Sequence, residues 1–167
     1  SVHIIALYLL FSLSTYKVAF ADMTSLGLLT GGSTSAAYGA SSDGSVVVGY
    51  SGSTNGNRAF KYDSTNGMTS LGTLTGGTSS IAQAISSDGS VIVGWSTSSS
   101  EGIRAFKYDS TNGMTSLGTL TGGTSSNAYG ASSDGSVVVG YSGSTNGNRA
   151  FKYDSTNGMT SLGTLTG

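Results

Sequence analysis

The stretch "SSDGSVVVG", residues 41–49, returns unchanged at residues 132–140, and a near copy, "SSDGSVIVG", lies at residues 86–94. In each copy an Asp-Gly pair precedes an apolar run, and Asp-Gly favours a two-residue turn between antiparallel strands because Gly tolerates a positive φ. Consecutive β-branched residues predict a strand that is buried on both faces, since an exposed hairpin would alternate apolar with polar residues. The stretch therefore predicts a hairpin that is built three times.

The hairpin belongs to a longer repeat. The phrase "MTSLG" begins at Met23, Met68, Met114 and Met159, at spacings of 45, 46 and 45 residues, and residues 37–76 are identical to residues 128–167. Self-similarity at a fixed period identifies a tandem array of supersecondary units. The sequence stops at Gly167 inside a "TGG" phrase, so we expect the array to be cut short there and the natural protein to be longer.

Each unit contains four strand-like runs, which in the last copy are residues 126–132, 136–142, 149–154 and 159–165. Tight turns are predicted at Asp134-Gly135 and Asn157-Gly158. A four-stranded antiparallel meander of this length is the size of one β-propeller blade. The predicted fold class is all-β, with tandem four-stranded antiparallel blades that form an open fragment of a β-propeller. The alternative is a β-solenoid, whose coils are parallel and usually shorter.

Three units are fewer than the roughly four to eight blades that close a propeller. The outer blades should therefore expose apolar faces, at residues 46–48 of one and 137–139 of the other. We expect this fragment to self-associate, as a six-bladed dimer, or to aggregate.

The first 21 residues differ from the repeat. Residues 2–13 read "VHIIALYLLFSL", and Ala19-Phe20-Ala21 fits the small-x-small pattern that signal peptidase accepts, so a signal peptide at residues 1–21 and a repeat domain at 22–167 are predicted. The alternative is a membrane helix, but such an apolar run spans only about 18 Å of a roughly 30 Å hydrocarbon core. Export to the outside of a bacterial-type cell follows.

Composition excludes several functions. The 167-residue chain has a formal net charge of −1 and no Cys, and its single His3 lies in the predicted leader. Nothing indicates nucleic-acid binding or a thiolate site. Asp43, Asp88 and Asp134 could converge on a metal ion or a glycosidic bond, but each precedes a Gly at a predicted turn. The "YDSTNGMT" phrase is likewise interpreted as a turn.

The charges of the third strand are copied in every unit, at Arg58, Arg104 and Arg149 and at Lys61, Lys107 and Lys152. Catalytic groups need different environments rather than copies of one environment. We therefore expect no enzyme, no cofactor and no metal site, with a polysaccharide hydrolase or lyase on a propeller platform as the alternative.

The unit, with its linked phrases "SSDGSVVVGYS", "RAFKY" and "GMTSLGTLTGG", resembles the HAF-type extracellular repeat over roughly residues 23–167. That family usually has Trp after the "AF-x" element, where this chain has Tyr62, Tyr108 and Tyr153. The resemblance implies a propeller-like fold in an exported bacterial protein, in the manner of autotransporter-like surface proteins, and it brings no known catalytic residue or ligand.

The units differ most in the linker between their second and third strands, "SGSTNGN" in the outer units and "STSSSEGI" in the middle one. Repeat arrays often place variation on their binding face, and drift in an unconstrained loop is the alternative. The predicted ligand-facing residues are Ser51, Asn55, Asn57, Ser98, Glu101, Asn146 and Asn148.

The predicted function is a secreted or surface-displayed binding or adhesion scaffold for an extracellular ligand, a glycan or a host or matrix surface. Membrane contact is expected only through a C-terminal anchor outside the sequence. A purely structural passenger or spacer is the remaining alternative.

Overall fold

The chain forms three four-stranded antiparallel sheets in a computed structural model that describes residues 23–165. The predicted leader and its cleavage site lie outside the described residues. Blade 1 contains β1 (Ser35–Ala40), β2 (Val46–Ser51), β3 (Arg58–Asp63) and β4 (Gly67–Gly72). Blade 2 contains β5 (Ser80–Ile85), β6 (Ile92–Ser98), β7 (Gly102–Asp109) and β8 (Gly113–Ser116), and blade 3 contains β9 (Ser126–Ala131), β10 (Val137–Ser142), β11 (Arg149–Asp154) and β12 (Gly158–Ser161).

Each sheet is a meander in which every strand pairs with the next one along the chain. All nine strand pairs are antiparallel, which confirms the predicted blades and contradicts the parallel coils of a solenoid. In residues 23–165 there is no helix that is long and apolar enough to cross a membrane.

The Asp-Gly turns lie where they were predicted, but they are wider than a two-residue turn. Five residues separate β1 from β2, and the turn closes where the Gly44 N–H donates to the Ser41 carbonyl at 2.9 Å. Gly44 has a φ of +70°, as an Asp-Gly turn requires. The extra residues are held because Asp43 accepts hydrogen bonds from both sides of the loop, from the hydroxyls of Ser41 at 2.7 Å and Ser45 at 2.8 Å.

The hydrophobic core lies between the blades rather than inside any one of them. We call the side of a blade that packs on the following blade its trailing face, and the opposite side its leading face. One cluster joins the trailing face of blade 1 (Val48, Ala59, Leu71) to the leading face of blade 2 (Ala82, Ile92, Phe106). The next joins the trailing face of blade 2 (Val93, Ala105, Leu117) to the leading face of blade 3 (Ala128, Val138, Phe151).

The second strand is buried on both faces only where a blade has two neighbours. In blade 2, Ile92 and Val93 are 2% and 0% exposed although they point to opposite sides. The expectation that all three valines of an outer blade would be exposed is wrong, because Val48 and Val138 face the inner interfaces and are 0% exposed. Val139, on the outer face of blade 3, is 43% exposed.

A buried serine also joins each pair of blades. The Ser80 hydroxyl, from β5, accepts a hydrogen bond from the Ala59 N–H of β3 at 2.9 Å and donates to the Gly72 carbonyl at 2.5 Å. The Ala59 N–H is free to point at blade 2 because the register between β3 and β4 shifts beside Ala59. Ser126 makes the same pair of bonds at the next interface, to the Ala105 N–H and the Gly118 carbonyl.

The repeated arginines hold neighbouring blades together. The Arg58 Nη1 donates to the Thr78 carbonyl at 2.7 Å, and the Arg104 Nη1 donates to the Thr124 carbonyl at 2.8 Å. In both cases the acceptor lies in the segment that enters the next blade. These arginines are therefore structural, as their repetition in the sequence indicated.

Candidate functional site

The loop between the second and third strands of a blade lies against the segment that enters the same blade. In blade 2, the Ser99 N–H donates to the Thr75 carbonyl at 3.2 Å, and the Thr78 N–H donates to the Thr97 hydroxyl at 2.8 Å. In blade 3, the Thr145 N–H donates to the Thr121 carbonyl at 3.1 Å. These bonds place the variable loop and the "TGG" connection on one side of the array.

Glycine allows this close approach. A Cβ atom at Gly77 would collide with the backbone carbonyl of Thr97, and one at Gly123 would collide with that of Gly143. The "TGG" phrase therefore brings the entering segment directly onto the variable loop.

Two equivalent grooves open beside these loops. The groove of blade 2 has a volume of about 370 Å³ and is lined by Leu74, Thr75, Ser98, Ser100, Glu101, Met114, Thr115 and Ser116. The groove of blade 3 has a volume of about 290 Å³ and is lined by Leu120, Thr121, Ser144, Thr145, Asn146, Arg149 and Ser161. Each is lined by several hydroxyl groups, and its leucine is buried, at 7% exposed for Leu74 and 9% for Leu120, so the groove can hold a small polar group.

The two grooves differ in charge. In blade 2 the Glu101 carboxylate accepts a hydrogen bond from the Ser116 hydroxyl at 3.1 Å and lies 3.9 Å from the Arg104 Nε. The loop of blade 3 has no acidic residue, and its groove contains Arg149, whose Nη1 donates to the Asn148 carbonyl at 2.9 Å. The middle groove is therefore acidic in character and the last one basic.

Most of the predicted ligand-facing residues are accessible, and one is not. The exposed ones are Asn55, Asn57, Glu101, Asn146 and Asn148, and Ser98 is half-buried. Ser98, Glu101 and Asn146 line the grooves. Ser51 is 0% exposed, because its hydroxyl accepts a bond from the Leu29 N–H at 3.1 Å and donates to the Gly52 carbonyl at 3.0 Å. The assignment of Ser51 to the ligand surface was therefore wrong.

The aspartates of the Asp-Gly turns hold their own loops. The hydroxyl of the serine two residues earlier donates to Asp43, to Asp88 and to Asp134, and the N–H of the serine two residues later does the same. The Ser41 hydroxyl bond is the main reason that the pKa of Asp43 is lowered to about 2, and the equivalent serines lower the pKa of Asp88 and Asp134. The three turns lie side by side, since the Ser42 N–H donates to the Ser87 carbonyl and the Asp88 N–H to the Ser133 carbonyl, both at 3.0 Å. Within residues 23–165, however, no three His, Asp or Glu side chains are grouped to hold a metal ion.

The aspartates that end the third strands are engaged in the same way. The N–H and side-chain amide of Asn66, Asn112 and Asn157 donate to Asp63, Asp109 and Asp154 respectively. These bonds lower the pKa of all three carboxyls, and that of Asp154 falls to about 2. Every aspartate in the described part of the chain is thus held ionised by its own turn.

A row of side chains on the first strands was not predicted from the sequence. The pairing of the first and second strands shifts by one residue at Tyr38, Gln83 and Tyr129, so a β-bulge redirects these side chains. Tyr38 and Tyr129 are 50% and 52% exposed, and the rings of Tyr38 and Tyr50 lie 5.9 Å apart. The first strands of successive blades contact one another, which aligns the row. The sequence feature that could have indicated these bulges is a large residue between two small ones, as in Ala37-Tyr38-Gly39.

Comparison with known proteins finds no matching family model and no matching curated protein. Among solved structures, the chain is similar to TolB from Acinetobacter baumannii, with a TM-score of 0.54 and 20% identity over 83% of this chain and 34% of that one. It is also similar to a putative TolB from Agrobacterium tumefaciens, with a TM-score of 0.59 and 17% identity over 83% of this chain and 52% of that one. The chain thus spans about a third of the first protein and about half of the second.

At this level of identity the similarity concerns the fold alone. Together with the three antiparallel sheets, it identifies the array as an open fragment of a β-propeller.

Proposed function

We propose that this protein is an exported, non-enzymatic scaffold that binds a polar extracellular polymer, such as a glycan, through the grooves of successive blades. The observation that carries the proposal is that the same kind of groove recurs at the same place in blades 2 and 3. A ligand made of repeating units can occupy equivalent sites in turn, and linked weak sites give a higher overall affinity than either alone.

The chemistry of the grooves supports a ligand that is rich in hydroxyl groups. Threonine and serine hydroxyls both donate and accept hydrogen bonds, and the Asn146 amide adds a donor pair and an acceptor. The exposed rings of Tyr38 and Tyr129 add amphipathic contact area elsewhere on the array.

The state of the carboxylates argues against the hydrolase alternative. Glycoside hydrolysis requires a carboxylic acid that is kept protonated near neutral pH, which burial or a neighbouring carboxylate achieves by raising its pKa. All six aspartates in residues 23–165 have a lowered pKa.

Export and display at the cell envelope belong to the same proposal. They are supported by the apolar leader that ends in "AFA" and by the resemblance to the HAF-type repeat. A cell-surface location would bring the grooves into contact with host, matrix or neighbouring-cell polysaccharides, which is the role of an adhesin.

Binding of residues 22–167 to immobilised glycans and matrix proteins tests the proposal. Asn146→Ala and Glu101→Ala each alter one groove, and we expect each to weaken binding. Thr156→Ala is the matched control, because Thr156 is exposed in the β11–β12 turn of blade 3, outside both grooves. Equal binding by all three variants would move the ligand away from the grooves, and no binding to any surface would favour the spacer alternative.

A further inference from the structure

Within residues 23–165, the first and last blades each leave part of an outer face exposed, and these faces are of the kinds that pack together between blades. On the trailing face of blade 3, Val139 is 43% and Leu162 63% exposed, whereas the equivalent Val93 and Leu117 of blade 2 are 0% and 7% exposed. On the leading face of blade 1, Ala37 is exposed, whereas its equivalent in blade 2 is 0% exposed. Phe60, on the same leading face, is 1% exposed. The outer face of blade 3 is therefore an uncovered half of an interface that the described residues build twice, and the outer face of blade 1 is uncovered only in part.

Polar groups of that interface are also left open at the ends. Ser35 takes the place of Ser80 on the leading face of blade 1, but it is exposed. On the trailing face of blade 3, Ala150 takes the place of Ala59, and within residues 23–165 no serine approaches its N–H as Ser80 approaches that of Ala59. The two open ends thus carry the donor and the acceptor of one inter-blade hydrogen bond.

Residues 23–29 already occupy the position of a fourth strand on the leading face of blade 1. The Ser35 hydroxyl donates to the Gly27 carbonyl at 3.2 Å, as the Ser80 hydroxyl donates to the Gly72 carbonyl in the interior. The Leu29 N–H donates to the Ser51 hydroxyl at 3.1 Å, and the equivalent Leu74 N–H donates to the Ser96 hydroxyl at 2.9 Å. The segment is not paired as a strand, because it has no third strand beside it.

We propose that a second copy of this chain supplies that third strand, so that two copies join head to tail by strand exchange. Residues 23–27 of one copy would pair with β11 of the other and replace residues 159–163, which have the same sequence, "MTSLG". In this arrangement Met23 takes the partner that Met159 has in β11, namely Tyr153. Exchange of identical elements between protomers is a low-cost route to a dimer.

Strand exchange rather than simple docking follows from the path of the chain. Residues 23–29 of one copy and 159–165 of the other would claim the same fourth-strand position between the two end blades. Residues 23–29 continue directly into the segment that enters blade 1, as β4 continues into the segment that enters blade 2. They therefore reproduce the connection by which the fourth strand of one blade leads into the next blade. The pairing that residues 159–163 lose with β11 is replaced by the same pairing from residues 23–27 of the other copy. The net gain on association is therefore the burial of the two outer faces.

Each of the two outer faces has an identical copy that packs inside the array. Residues 128–167 are identical to 37–76, so the trailing face of blade 3 matches the one with which blade 1 packs on blade 2, and the leading face of blade 1 matches the one with which blade 3 packs on blade 2. A head-to-tail contact closes into a ring if the rotation permits, and two copies of residues 23–165 supply six blades, within the range of about four to eight that closed propellers contain.

Sedimentation of residues 22–167, which include all twelve strands, tests the proposal with a pair of variants at equivalent positions of the "MTSLG" phrase. Leu26→Asp places a charge on the strand that would enter the new interface, and we expect at least about tenfold weaker association. Leu162→Asp places the charge on the strand that would be displaced, and we expect association at least as tight as that of the unaltered chain. Docking with β12 in place predicts the reverse order, and that result, or a monomeric unaltered chain, would overturn the proposal.

A second pair of variants tests the end face without altering either fourth strand. Val139 and Ile103 are almost equally exposed, at 43% and 41%, but only Val139 lies on a trailing end face. We expect Val139→Lys to be monomeric and Ile103→Lys to associate like the unaltered chain, with circular dichroism confirming that both are folded. Equal association by both variants would also overturn the proposal.

Discussion

Replacing Ser80 with alanine should destabilise the array by about 2 kcal/mol, because it leaves a buried backbone N–H without a partner. The Ser80 side chain is 0% exposed and is the acceptor for the buried Ala59 N–H at 2.9 Å. An unsatisfied buried donor costs about 1–3 kcal/mol, and the lost bond to the Gly72 carbonyl adds about 0.5–1.5 kcal/mol, part of which relaxation of the interface recovers. The substitution removes only one oxygen atom, so the cavity that it leaves adds little to this free-energy cost.

Urea unfolding followed by circular dichroism measures this effect. With a slope of about 1–3 kcal/mol per molar urea, the Ser80→Ala midpoint should fall by about 1 M with little change in slope. Ser35→Ala is the matched control, since Ser35 holds the same position in blade 1 but is exposed, and its hydroxyl donates only to the Gly27 carbonyl at 3.2 Å. We expect that control to shift the stability by less than about 0.5 kcal/mol. Equal midpoints for the two variants would refute the role assigned to the inter-blade serine.

Three further predictions concern packing and charge. Gly94→Ala should destabilise the chain by about 1–3 kcal/mol, because its Cβ would collide with a backbone carbonyl of β5. Gly52→Ala is the control: its Cβ would have no neighbour closer than 3.5 Å, so it should cost less than about 1 kcal/mol. Thermal melting of the two variants would measure the difference. Leu71→Ala should lower the free energy of unfolding by about 2–5 kcal/mol, because Leu71 is only 8% exposed. The equivalent Leu162→Ala should lower it much less, because Leu162 is 63% exposed. Urea unfolding would measure both changes. The pKa of Asp43 falls from 3.8 to about 2 on folding. Its contribution to the free energy of unfolding is therefore present above pH 3.8 and is lost as the pH falls toward 2. A melting temperature that stays constant across this pH range would contradict the prediction.

The units, their strands and the places of their turns could be predicted because they depend on local chemistry. Gly44 and Gly158 follow Asp and Asn at the ends of strands, and both adopt the positive φ that the turns require. The widths of the Asp-Gly loops could not be predicted in the same way. The width of such a loop depends on the hydrogen bonds that hold it. In the first loop the carboxylate of Asp43 accepts bonds from Ser41 and Ser45, on either side of the turn, and these bonds hold a five-residue loop.

The candidate site was predicted only in part. The variable loops indicated Glu101 and Asn146, which do line the grooves. The same argument included Ser51, whose polarity suggested exposure, but a serine at that position is buried as the acceptor for a backbone N–H from the entering segment. The bulges that expose Tyr38 and Tyr129 arise from strand register, which a single sequence does not display.

The sequence by itself determined that the chain is a tandem array of antiparallel blades, since a period of 45 to 46 residues with a turn signal between apolar runs permits little else. Only the tertiary structure decided which copies of an identical residue are core and which are surface. Val48 is 0% exposed and Val139 43% exposed although the surrounding sequence is the same, because burial is conferred by the blade that follows and not by the residue. Identical units therefore have different energetics at the middle and at the ends of the array, and that difference arises from contacts between units that no single unit encodes.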